Sequence, residues 1–75
     1  MLAEELVKKH GSALIGRTVL TNPMGEYPGG YAEVLELEPD PEAPEIVFQV
    51  KHPTFGEIGV FGYERVYLIE KVPIG

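Results

Sequence analysis

From residue 16 onward the apolar positions alternate with polar ones in short runs broken by Gly, Pro, Asn and Asp, the period-two pattern of half-buried strands. The runs are GRTVLTN (16–22), GYAEVLELE (30–38), EIVFQVKH (45–52), GEIGVFG (56–62) and VYLIEK (66–71). In the third, Ile46, Phe48 and Val50 share one face and Val47, Gln49 and Lys51 the other, so the first face is expected inside. Ile58 and Val60 share a face of the fourth run, and in the fifth Val66 and Leu68 alternate with Tyr67. Asn22-Pro23, PDPEAP and HPTFG end the runs with turn residues, and GYER (62–65) fits one helical turn before the last strand.

The second run changes phase. Ala32 and Val34 have one parity, Leu35 and Leu37 the other, which a flat strand with one buried face does not allow. A bend or a bulge near Val34 or Leu35 is the expected solution. Residues 2–10 follow a different period: Leu2 with Leu6 and Ala3 with Val7 fall on one helical face, and Glu4 with Lys8 and Glu5 with Lys9 stand four apart. Gly11 is placed to end that helix. So short a helix is marginal alone, and its apolar face must rest on an open end of the strand assembly or on the matching helix of a second subunit.

Five short strands, one of them long and bent, describe a small, partly open barrel. The stretch GRTVLTNPMGEYPGGYAEVLEL, a strand, a turn-rich loop, then Gly30, Ala32 and Leu37 in a small-and-aliphatic pattern, resembles the KOW-type opening of the SH3-like barrel superfamily. The resemblance covers about residues 16–71 and implies a mainly β fold: a five-stranded, partly open SH3-like barrel with a short N-terminal α-helix. A single domain over 1–75 is expected, with the helix in 1–11 and the barrel in 16–71. An OB-type barrel fits the same strand pattern. Typical KOW modules carry basic loops and bind RNA; this chain has acids there, so that role is not carried over.

Size and charge narrow the options. A chain of 75 residues has room for one small core, hiding roughly 60% of its unfolded surface, and the absence of cysteine removes disulfides and thiolate metal sites as staples. Twelve acids oppose six bases, and Glu33, Glu36, Glu38, Asp40, Glu42 and Glu45 follow one another with no Lys or Arg between them. Phosphate backbones and anionic lipids demand the opposite sign, so nucleic acid and membrane partners are disfavoured. No apolar run approaches the roughly 20 residues of a membrane span, and the charged N-terminus does not fit a signal peptide. A soluble, cytoplasmic protein is expected.

Catalytic groups are scarce. Ser12 is the sole serine, Asp40 the sole aspartate, and His10 and His52 the only histidines, with no close-spaced ligand pair. The glycines lack the phosphate-loop pattern. His52, before Pro53, reads as a turn residue. The expectation is therefore no enzyme, no cofactor and no metal. Aromatic residues instead gather near the turns: Tyr27, Tyr31, Phe55 and Tyr63 are the candidate contacts, with Glu36 and Glu38 in an acidic patch beside them. Capping the barrel ends is the competing role for Phe55 and Phe61. As the resemblance implies, loops of such barrels converge on a binding face, and aromatic rings there supply area at little entropic cost. The function expected is a protein-binding or accessory module, its partner a protein of basic character. The alternatives are a subunit of a larger enzyme complex and a homo-oligomeric structural protein.

Overall fold

The computed structural model describes residues 1–70, and in it the five runs form one antiparallel sheet. The strands are β1 (Thr18–Thr21), β2 (Gly30–Leu37), β3 (Ile46–His52), β4 (Gly56–Phe61) and β5 (Tyr67–Ile69), in spatial order β4-β3-β2-β1-β5. The first four make a meander and the fifth returns to pair with the first. Among the described residues no ladder joins β4 to β5, so the sheet is open along that seam. The final residue of the expected fifth run, Lys71, lies outside the described residues.

In β3 the inner face follows the parity read from the sequence at Phe48 and Val50. Val19, Ala32, Val34, Phe48, Val50 and Val60 point inward and are buried. Helix α1 (Ala3–His10) lays Ala3 and Leu6 over them, and a short 3-10 turn (Gly11–Leu14) adds Leu14. The helix therefore rests on its own sheet. Each fully buried aliphatic or aromatic side chain of this size contributes about 1.5–3 kcal/mol, which makes Phe48, the largest of the fully buried set, the strongest single core contributor.

Two bulges set the faces. In the β2–β3 ladder Val34 opposes Val50 but Glu36 opposes Gln49, leaving Leu35 as the extra residue. The phase change at Val34 and Leu35 thus has the expected cause, and it turns Leu37 inward opposite Phe48. The β3–β4 ladder holds a second bulge between Ile46 and Phe48, which the clean alternation of EIVFQVKH conceals. Val47 consequently packs against the core, while Ile46 lies beside Gly59, so the expected inward place of Ile46 is corrected.

The seam is bridged by the N-terminus. Val66 N–H donates to the Met1 carbonyl at 2.9 Å, Ala3 N–H to Glu64 at 2.8 Å and Glu4 N–H to Gly62 at 3.0 Å. Residues 62–65, expected as a helical turn, form a hydrogen-bonded turn instead: Glu64 N–H donates to the Phe61 carbonyl at 3.0 Å, and the Glu64 carboxylate accepts from Phe61 N–H at 2.8 Å.

Candidate functional site

The loop of residues 22–29 is folded back on itself. Met24 and Tyr27 exchange both backbone hydrogen bonds, at 3.0 and 2.9 Å, across Gly25 and Glu26. Gly25 has φ 58° and Glu26 a negative φ, the order found in a type II′ hairpin turn. At Gly29, φ is 72° and a Cβ would lie 2.5 Å from the Pro23 nitrogen, so only glycine lets the two limbs of the loop touch.

This folding drives Tyr27 inward. Its ring is 5% exposed and stands edge-on to both His52 and Phe55, each with centroids 5.3 Å away. The Tyr27 hydroxyl meets Oγ1 of Thr21, which in turn donates to the Gly30 carbonyl at 2.8 Å. Because the single Thr21 hydroxyl proton is committed to Gly30, Tyr27 is the donor in the first bond. Tyr27 is thus a buried residue that holds the loop closed, and what it offers a partner is the part that lines the cleft described below.

His52 ties the same loops together. Its Nδ1 accepts from Thr54 N–H at 3.2 Å and Phe55 N–H at 3.1 Å, and its Nε2 lies 2.7 Å from the Gly29 carbonyl. Two backbone donors aimed at Nδ1 require a lone pair there, so the network assigns the neutral ring with its proton on Nε2, donated to Gly29. His52 is not in the turn expected of it but is the last residue of β3, paired with Gly56, and its buried ring clamps two loops.

Between the Met24–Tyr27 turn and β4 the open seam leaves a cleft of about 100 Å³, lined by Thr21, Met24, Tyr27, Ile58, Gly59, Val60, Phe61 and Glu64. Met24 is exposed at its edge. Phe61 lines the cleft, and its ring is stacked on Tyr63 with centroids 5.4 Å apart and 15° between planes; Tyr63 is 68% exposed. Three acids attend this connector. Gly62 N–H donates to the Glu45 carbonyl at 3.0 Å, a Cβ on Gly62 would come within 3.2 Å of Glu4 Oε2, and Glu64 lines the cleft.

The candidates named from sequence are thereby divided. Phe55 is half-exposed beside buried Tyr27, and Tyr63 is exposed and stacked on Phe61, a cleft residue. Tyr31 lies elsewhere, on the outer sheet face, where it opposes Leu20 and Leu20 opposes Tyr67. A wider concavity of about 350 Å³ lies beside it, lined by Thr18, Tyr31, Ala32, Glu33, Lys51 and Pro53. Glu36 and Glu38 are exposed, Glu36 paired with Gln49 and Glu38 just past the end of β2. Met24 and Glu64 are cleft residues that sequence reasoning misses. A hairpin reading of MGEY sets Met24 beside Tyr27, but no sequence signal places Glu64, whose position depends on how the connector crosses the seam. Among the described residues no three His, Asp or Glu side chains gather as for a metal ion, and no helix is long and apolar enough to cross a membrane. Comparison with protein-family models, with curated proteins and with solved structures finds no match to this chain.

Proposed function

We propose that the protein is a small binding module that holds a segment of a partner protein along the open seam of its sheet, seating one aliphatic side chain between Met24 and Phe61. The observation that carries this reading is the apolar cleft itself, with exposed Met24 at its edge and Phe61, against which exposed Tyr63 stacks, in its wall. Its size of about 100 Å³ falls below the roughly 300–1,000 Å³ of small-molecule and cofactor pockets, so it suits a side-chain anchor rather than a free metabolite. The return of β5 to β1 in the order β4-β3-β2-β1-β5 supports an SH3-like arrangement, whose loops, as the resemblance implies, converge on a binding face.

The test is to pan a displayed library of random short peptides on the folded protein and titrate an enriched peptide. Met24→Asn and Tyr63→Ala should each weaken binding about tenfold, the loss typical of a residue at the centre of a contact, with the thermal midpoint little changed. Tyr67→Ala, on the outer face, should bind as well as the parent. Equal affinity for all three variants, or no enriched peptide, rejects the reading.

A second reading, an accessory or self-associating subunit, is favoured by the Tyr31–Leu20–Tyr67 row, which leaves two half-exposed rings on the outer sheet face. Light scattering over a wide concentration range decides it, since a monomer throughout removes self-association.

A further inference from the structure

We infer that the segment held in the seam cleft is basic, with a lysine or arginine next to its aliphatic anchor and lying over the free face of Tyr63. This deepens the seam-cleft reading and rests on it. The Phe61 ring covers one face of Tyr63, and the 68% exposure of Tyr63 leaves the other to solvent. An open tyrosine face attracts ammonium and guanidinium groups through its quadrupole.

The surrounding charge has the matching sign. Three separate segments converge at Gly62: α1 through the Glu4 N–H bond to the Gly62 carbonyl, the acidic loop through the Glu45 carbonyl, and the connector itself with Glu64 two residues on. The Glu4 carboxylate lies within 3.2 Å of where a Gly62 Cβ would stand, that of Glu64 is bonded to Phe61 N–H, and Glu45 is exposed on the loop whose backbone meets Gly62. The cations nearest these acids in sequence are Lys8 and Lys9 at the far end of α1, Lys51 in β3 and Arg65 beside Glu64, against a chain total of −6. A cation at Tyr63 gains from ring and carboxylates together, whereas a phosphate or an acidic segment meets repulsion. The acids that matter are therefore Glu4, Glu45 and Glu64, two of which lie outside the conspicuous run from Glu33 to Glu45.

The experiment uses an enriched library peptide as probe, together with a version in which its Lys and Arg are replaced by Gln. Both are titrated against the parent protein, against the triple variant Glu4→Gln, Glu45→Gln, Glu64→Gln, and against Met24→Asn. Glutamine at position 64 can still accept from Phe61 N–H, so the turn is kept. The inference expects enriched peptides with a basic residue close to the aliphatic one. It also expects about fivefold to tenfold weaker binding for either the uncharged peptide or the triple variant, a gap that closes as salt is raised. Enriched peptides that are neutral or acidic, or that bind the triple variant as well as the parent, overturn the basic partner while Met24→Asn still weakens them. Peptides indifferent to Met24→Asn overturn the seam cleft, and this inference with it.

Discussion

The hydroxyl of Tyr27 donates to that of Thr21, whose own proton passes on to the Gly30 carbonyl at 2.8 Å. The two ends of this short chain are not equivalent. Tyr27→Phe removes a donor but leaves Thr21 bonded to Gly30, and should cost about 1 kcal/mol. Thr21→Val strands a buried Tyr27 O–H and takes the donor from Gly30, and should cost more, about 1–3 kcal/mol. The double variant should cost less than the sum, because no orphaned Tyr27 hydroxyl remains. Urea denaturation of the four proteins reads this cycle, and simple additivity would contradict the assigned proton direction.

His52→Asn separates the two jobs of His52. The Asn side-chain oxygen sits near the former Nδ1 and can still accept from Thr54 and Phe55, but the shorter side chain no longer reaches Gly29. The Gly29 carbonyl is then left without its partner, and the expected loss is about 1–3 kcal/mol. In hydrogen exchange the Thr54 and Phe55 amides should stay protected in His52→Asn relative to global unfolding and lose that protection in His52→Ala. Loss in both variants would show that the ring, not its acceptor, holds the turn.

Gly25 and Gly29 both have positive φ, yet their substitutions should differ widely. A Cβ on Gly25 meets nothing within 4 Å, so Gly25→Ala carries only the backbone term, about 1–3 kcal/mol. A Cβ on Gly29 would lie 2.5 Å from backbone, and overpacking adds about 1–3 kcal/mol to the same term. Thermal unfolding should place Gly29→Ala well below Gly25→Ala. Similar midpoints would mean that the 22–29 loop relaxes freely, which its closed Met24–Tyr27 pair argues against.

These contacts mark where sequence reading succeeds and where it stops. Strand parity finds Phe48 and Val50, and pairs Ala32 with Val34 on one face, because a period of two is a local property. The bulge at Leu35 is legible for the same reason: it reverses the parity of apolar residues. The bulge at Val47 is not, because Ile46 and Val47 are both apolar and either fits the inner face. Tyr27 looks like a loop aromatic until the 22–29 loop closes over Gly29, a tertiary event. The seam cleft is less legible still, since Met24, Phe61 and Glu64 meet only through the curvature of the whole sheet.

Helix α1 is the clearest case of a local element completed from elsewhere. At its N-cap, Leu2 has no polar side chain to offer the first amides, and Ala3 and Glu4 instead donate to the Glu64 and Gly62 carbonyls. Acids in the first turn and bases in the last favour the helix electrostatically. Eight residues nevertheless fall short of the roughly 12–15 that an isolated helix needs in water. A synthetic peptide of residues 1–15 should therefore show little helical circular dichroism, while the full chain shows it. Leu6→Ala, which empties the main contact of the helix with the core, should cost about 2–4 kcal/mol and raise hydrogen exchange at Ala3 and Glu4 together with their acceptor segment, residues 62–66. If Ala3 and Glu4 exchanged early while Val66, which donates to Met1, stayed protected, the N-terminal strap would be a loose addition to the sheet. Coupled exchange would make it the closure of the seam.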